Sequence, residues 1–187
     1  LKNILKYWVR GKHSDLHVIP TDSIVLKVDK EAVRRSGMMI PGDSIPDYMH
    51  ISLKGQRALY KKDLMKLEML AEANWERPIY IAVSVGSDEH MGLSEYFILE
   101  GLAYRFTPFN QKVTGVSLDS EKMFDNLMHK FKFGGIDKPG IYIDENASRM
   151  CYTHRRMFAL LVEQLLKEGK NEQAKEALDY AEKMIPN

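Results

Sequence analysis

Residues 47–85, DYMHISLKGQRALYKKDLMKLEMLAEANWERPIYIAVSV, decide the fold of this chain, because their pattern is that of a strand, a helix and a strand in succession. In the first strand, Met49, Ile51 and Leu53 alternate with polar residues, which is typical of a strand with one buried face. Ile79–Val85 is an almost unbroken apolar run, which is typical of a strand covered on both faces. Two strands joined by one helix predict a right-handed βαβ crossover.

The helix between these strands is predicted from an apolar stripe at helical spacing. The stripe consists of Tyr60, Leu64, Leu67, Ala71 and Trp75. Pro78 disfavours the helical conformation in the residue before it, so the helix should stop near Glu76. We expect the rest of the fold to assemble around this unit.

The composition is ordinary for a soluble globular protein and argues against several classes of function. The chain has 187 residues, of which 44% are hydrophobic and 28% are charged. Its 27 basic and 26 acidic side chains nearly cancel, so no net field favours nucleic acid or a lipid surface. No apolar run approaches the roughly 20 residues that a membrane-spanning helix needs. Cys151 is the one cysteine, so an internal disulfide is excluded.

The N-terminus begins with Leu1 rather than methionine and carries no signal-peptide pattern. Residues 1–10 fit an amphipathic helical turn or two that opens without a cap. We therefore interpret the chain as a piece of a longer protein, whose localisation and catalysis depend on residues outside this sequence.

Metal and cofactor motifs are weak in this sequence. His13, Asp15 and His17 have the i, i+2, i+4 spacing that suits a metal on a strand, but no fourth ligand lies nearby and a solvated loop is the favoured interpretation. The turn at residues 54–56 has neither the glycine spacing of dinucleotide folds nor the G-K-[ST] of a P-loop. The sequence therefore predicts no metal and no cofactor.

Asp88, Glu89 and His90 form the first candidate site. They follow the apolar run, and ligands of α/β sheets bind in loops at the carboxyl ends of strands. Two acids and a histidine at such a position could serve general acid–base or metal chemistry. The favoured alternative is a polar surface loop, because one short polar triplet is weak support for a site.

Tyr152, His154, Arg155 and Arg156 form the second candidate site. Cations beside an aromatic ring could hold an anion or a sugar phosphate. The favoured alternative is again structural, because charged residues on a helix surface are usually only solvated.

The aromatic-rich segment Ser94–Phe109 is predicted to be a short helix to about Glu100 and then a strand over residues 102–107. Glu100 and Arg105 sit among apolar residues, and buried charges need partners. We therefore expect a structural ion pair at these two positions rather than a catalytic one.

Acidic caps predict where two other helices begin. Asp29 is a candidate N-cap for a helix through Arg35. Asp119 or Ser120 is expected to cap a second helix, which Gly134–Gly135 ends.

From Glu145 onward the pattern is helical, with a turn at Gly169 and Lys170. The facing residues are Phe158, Leu161, Val162 and Leu165 on the first helix and Ala174, Leu178 and Ala181 on the second. Residues 168–187, EGKNEQAKEALDYAEKMIPN, match the second half of a tetratricopeptide unit (TPR), with glycine at the turn and a terminal proline. Stable arrays need about three units, so the hairpin either packs on the preceding domain or is followed by further repeats.

Together these elements predict a mixed α/β (α+β) fold in two parts. Residues 1–144 would form an α/β domain that lacks its N-terminal part, with a βαβ-containing sheet flanked by helices. Residues 145–187 would form a TPR-like helical hairpin packed on that domain.

Five blocks of this sequence resemble the C-terminal region of one membrane-protein family. They are NWERPIYIAVSV (74–85), YFILEGLAYRFTP (96–108), MFDNLMHKFKFGG (123–135), IYIDEN (141–146) and MCYTHRRMFALLVEQLLKEGK (150–170). In this order they resemble the Bacteroidetes family catalogued as DUF2723, from about residue 19 to residue 187. Its members are similar to polytopic glycosyltransferases of the protein O-mannosyltransferase kind (GT-C type). A metazoan relative that mannosylates plexin-type receptors also carries tetratricopeptide repeats.

The resemblance implies that this chain is the soluble, periplasmic arm of an inner-membrane enzyme that takes sugar from a polyprenyl-phosphate donor. The catalytic acid of that class lies in an early extracytoplasmic loop, so no catalytic residue carries over to this sequence. An acceptor protein or peptide is the partner that the resemblance implies. Further strands would precede Leu1, and without them a sheet edge would be exposed.

Three hypotheses for the function remain open. The favoured one is a non-catalytic extracytoplasmic domain that binds acceptor protein or another partner through the α/β surface and the hairpin. The second is an independent enzyme of sugar or phosphate chemistry, in which residues 88–90 and 152–156 meet in one cleft. The third is a scaffold that oligomerises through Leu161 and Leu165. None of them involves nucleic acid, and the sequence leaves the oligomeric state open.

Overall fold

The computed structural model describes residues 23–42, 44–54 and 59–185, and it confirms a mixed α+β fold that ends in a helical hairpin. In chain order the elements are β1 (Ser23–Lys27), α1 (Lys30–Arg35), β2 (Tyr48–Ser52), α2 (Lys61–Ala73), β3 (Tyr80–Ala82), β4 (Phe97–Leu99), β5 (Ala103–Phe106), α3 (Gln111–Thr114), α4 (Ser120–Asp125), α5 (Glu145–Lys167) and α6 (Asn171–Met184). Short 3₁₀ helices span Ser87–His90 and Leu93–Tyr96, and a π-helical turn, Asn126–Lys130, follows α4. The predicted N-terminal helical turn, His13, Asp15 and His17, and most of the 54–56 turn lie outside the described residues.

The described residues form two compact units. Unit 1 comprises everything up to Phe97 together with Phe106–Gly115, and unit 2 comprises Ile98–Arg105 and everything from Val116 onward. The predicted boundary between residues 144 and 145 stays a prediction.

β2 confirms the predicted alternation but not the predicted crossover. Its inward residues Met49 and Ile51 are fully buried, and the strand pairs antiparallel with β1, with Ile24 opposite Ile51 and Leu26 opposite Met49. β3 belongs to a separate three-stranded sheet, ordered β3–β5–β4. The strand–helix–strand order was therefore right, but its two strands do not share a sheet. The alternating pattern of β2 is satisfied equally well by an antiparallel neighbour that covers one face.

Helix α2 confirms the predicted stripe in part. Leu64, Leu67 and Trp75 are buried as predicted, whereas Tyr60 and Ala71 are exposed. Leu70 and Ala73 are also buried. The helix ends at Ala73, three residues before the predicted stop, because Asn74 (φ 43°) and Trp75 (φ 63°) both take the left-handed conformation. The reversal lets Trp75 stack on Phe106 with ring centroids 5.4 Å apart.

The apolar run Ile79–Val85 is only half covered. Strand β3 spans three residues of it, and along the run half-buried residues alternate with exposed ones. The prediction of a strand covered on both faces was therefore wrong. A strand at one end of its sheet has one neighbour, and here the backbone of Ile79 accepts a hydrogen bond from the amide of Phe106 (2.9 Å).

The segment before β5 forms less helix than predicted. The 3₁₀ helix ends at Tyr96, and Phe97–Leu99 then continue as β4 with all three side chains buried. The predicted helix to Glu100 was wrong in its second half, because the backbone of Leu99 is paired instead: its amide donates to Ser117 (2.9 Å) and its carbonyl accepts from Asp119 (3.0 Å).

Unit 2 confirms the predicted ion pair. Arg105 Nη1 lies 3.6 Å from Glu100 Oε1, and both side chains are almost fully buried. Lys122 Nζ lies 3.3 Å from Glu100 Oε2, so a second cation shares the same carboxylate. A buried carboxylate is tolerated only with such partners.

The predicted caps also hold. The carboxylate of Asp29 accepts from the amide of Ala32 (3.0 Å), and that of Asp119 accepts from the amide of Lys122 (3.0 Å). The helix that Asp119 caps ends earlier than predicted, since the π-helical turn replaces its last part.

The hairpin of α5 and α6 turns at Gly169, whose φ of +75° suits glycine. Phe158, Leu161 and Leu165 are buried as predicted, and so are Ala174 and Ala181. Val162 is only half-buried, and Leu178 is 48% exposed while Ala177 is buried in its place. That the hairpin is TPR-like stays a prediction.

Candidate functional site

The 3₁₀ helix Ser87–His90 holds the first set of predicted site residues. Asp88 is exposed and Glu89 is half-buried. Glu89 forms an ion pair with Lys62, while Lys66 Nζ lies 2.7 Å from the Glu89 carbonyl and 3.4 Å from Oε2. The hydrogen bond from Lys62 lowers the pKa of Glu89 below its ordinary value. The carboxylate is thus bound to two cations at the start of α2.

His90 is buried, in contrast to a typical surface-loop residue. Its Nδ1 lies 2.9 Å from Ser94 Oγ, and its ring meets the edge of Phe97 with centroids 5.2 Å apart. Nε2 has no hydrogen-bond partner within the part of the chain that the structure describes. The imidazole therefore packs into unit 1, and its role as a site residue stays a prediction.

The second set of predicted residues is spread around α5. Tyr152 and Arg156 are exposed, while His154 Nδ1 lies 2.9 Å from the Met150 carbonyl. The His154 ring also packs edge-on against Phe133 at 5.5 Å. Because successive helical residues point about 100° apart, His154 cannot share the face of Tyr152 and Arg156.

Residues 88–90 belong to unit 1 and residues 152–156 to unit 2. The hypothesis that the two stretches form one cleft stays a prediction. No group of three or more His, Cys, Asp or Glu residues that could hold a metal ion occurs in residues 23–42, 44–54 and 59–185.

Unit 2 contains a groove of about 840 Å³ between α5 and α6, which we term the hairpin groove. Its lining residues are Arg155, Phe158, Ala159, Val162, Glu163 and Leu166 from α5, and Leu178, Ala181, Glu182 and Ile185 from α6 and the residue that follows it. Most of these side chains are apolar. Of the residues predicted as a site, Arg155 is the one that lines this groove.

Two exposed leucines lie in the hairpin groove. Leu166 is 54% exposed and Leu178 is 48% exposed. Each lies next to a buried residue of the hairpin core, Leu165 in α5 and Ala177 in α6. Neighbouring helical positions face different directions, so each helix presents one apolar side to the core and another to the groove.

Charged groups stand at the rim of the hairpin groove. Arg155 Nη2 donates to the Ile185 carbonyl (3.2 Å), which ties the end of α6 to α5. Glu163 accepts from Lys167 Nζ at 2.7 Å, and this hydrogen bond lowers the pKa of Glu163 below its ordinary value. Glu182 stands on the other wall. Both walls therefore carry a carboxylate.

The sequence predictions missed most of this groove. A second apolar stripe, Ala159, Val162 and Leu166, runs beside the buried stripe of α5 and could have indicated it. A helix whose apolar side is wider than one contact face is expected to meet neighbours on two sides.

The predicted dimerisation residues need a correction. Leu161 and Leu165 are fully buried within unit 2, so they cannot form a contact between copies of the folded chain. They occupy the inward stripe of α5, whereas the exposed apolar side chains of the groove are Leu166 and Leu178.

None of the helices in the described residues combines the length and the apolar character needed to cross a bilayer.

Comparison with curated proteins found no match, and comparison with solved structures also found none. Comparison with family models matched residues 2–126 to TMEM260-associated domain 2. The match is not to DUF2723, and that resemblance stays a prediction. The hairpin lies beyond the matched residues. Because the match covers more than half of the 187 residues, the chain belongs to the TMEM260-associated domain 2 family.

Proposed function

We propose that this chain is a non-catalytic domain of a membrane-bound glycosyltransferase and that it binds acceptor protein through the hairpin groove. The observation that carries the proposal is the pair of exposed leucines, Leu166 and Leu178, in a mostly apolar groove. Membership of the TMEM260-associated domain 2 family supports an origin in a membrane-associated protein of this kind. The resemblance to DUF2723 extends the proposal to a periplasmic location.

The contacts of Glu89, His90 and Arg155, which belong to the two predicted sites, support a non-catalytic role for this chain. Glu89 is neutralised by two lysines, and a carboxylate with a lowered pKa is a poor proton donor and a weak base at neutral pH. His90 is buried against Phe97, and Arg155 is occupied by the carbonyl of Ile185. These groups hold secondary structure in place, as structural residues do.

The apolar side chains of the groove are suited to binding protein. Complete burial of a leucine stabilises a complex by roughly 1.5–3 kcal/mol, so covering the exposed half of each of these leucines is worth roughly 1 kcal/mol. Small exposed clusters of this kind, rimmed by polar residues, are typical of protein-binding surfaces. The TPR-like interpretation of the hairpin agrees with such a role.

The gene sequence tests the proposal that this chain belongs to a membrane-bound enzyme. Sequencing of the coding DNA upstream of Leu1 should find several apolar spans of about 20 residues each. Their absence would refute the assignment to a membrane-bound enzyme.

The role of the groove is tested in the complete gene product in its native host. The double variant Leu166→Asp/Leu178→Asp should lower the glycan occupancy of the host's acceptor proteins, measured by mass spectrometry of glycopeptides. Met150→Asp is the matched control, because Met150 is 64% exposed on α5 but does not line the groove. Equal occupancy in the double variant and the control, at equal protein level, would overturn acceptor binding by the groove.

A further inference from the structure

We draw no further inference here: the strongest candidate, the mostly apolar hairpin groove between α5 and α6, belongs to the site already described, and nothing in the described residues shows what covers it.

Discussion

The 3₁₀ helix Ser87–His90 of unit 1 binds Glu89 and His90 to side chains of its own unit, whereas the hairpin groove of unit 2 leaves apolar side chains facing solvent. Glu89 is bound to Lys62 and Lys66, and His90 is packed beside Ser94. In the groove, about half of Leu166 and of Leu178 is exposed.

This difference between bonded charged groups and exposed leucines indicates which of the two surfaces is the better candidate for a binding site. Charged residues in a loop attract attention in a sequence because catalysis uses them, yet folding uses them as well. Exposed leucines in a groove contribute little to the stability of the folded chain, so they can be used for binding without cost to the fold. Binding is the use that we propose for them.

The largest expected effect is a difference in the free energy of unfolding between variants of two adjacent leucines of α5. Leu165→Ala should lower the free energy of unfolding by about 2–5 kcal/mol, because Leu165 is fully buried and its loss leaves a cavity. Leu166→Ala should change it by no more than about 0.5 kcal/mol, because Leu166 faces the groove.

Urea unfolding followed by circular dichroism measures both leucine variants. Similar losses of stability in the two would mean that Leu166 belongs to the core, and the groove would then not be an open surface.

A second, smaller effect tests whether His90 is structural. His90→Ala should destabilise the chain by about 2 kcal/mol, because it removes a buried ring and the hydrogen bond to Ser94. Asp88→Ala is the matched control in the same 3₁₀ helix, and since Asp88 is exposed we expect a change within about 0.5 kcal/mol.

Thermal unfolding measures the stability of the His90→Ala and Asp88→Ala variants. Stabilisation by His90→Ala would contradict our interpretation, because relief of a strained geometry on substitution is typical of active sites.

The smallest effect concerns Glu89, through its pH dependence. Its folded-state pKa is lowered, so its ion pair stabilises the fold above the ordinary carboxyl pKa, and this stabilisation is lost as the pH falls through the lowered value. Glu89→Gln should therefore be slightly less stable than the natural chain at neutral pH and equal to it in acid. High salt should also reduce the difference.

Urea titrations of the natural chain and of Glu89→Gln across acid pH follow this difference. A difference that persists at acid pH would show that the ion pair is not its source.

Local chemistry explains which parts of the fold could be predicted. Asp29 and Asp119 cap helices because a carboxylate next to the first free amides is a local arrangement. Gly169 turns the hairpin because its positive φ suits glycine. The ion pair of Glu100 and Arg105 was predictable because buried charges require partners.

Non-local pairing explains what could not be predicted. The alternation of β2 shows that one face is buried, but it carries no information on which strand lies beside it. Its neighbour is β1 rather than β3. The apolar run Ile79–Val85 likewise gave no sign that its strand has a single neighbour in the sheet.

The groove depends on how α5 and α6 pair. Leu178 satisfies the spacing of the buried side of α6, yet Ala177 takes the inward position. Either position fits a stripe with Ala174 and Ala181, so a small rotation of the helix about its axis decides between them, and spacing alone does not resolve it.

The buried pair of Glu100 and Arg105 has a consequence for the history of this family. Both residues lie within the matched range 2–126. A lineage that lost Glu100 alone would remove the carboxylate that Arg105 and Lys122 share, and breaking a buried pair in this way costs about 3–5 kcal/mol, whereas exchange of both Glu100 and Arg105 for apolar residues is often neutral. Across members of the TMEM260-associated domain 2 family, positions 100 and 105 are therefore expected to change together, as an acid with a base or as two apolar residues.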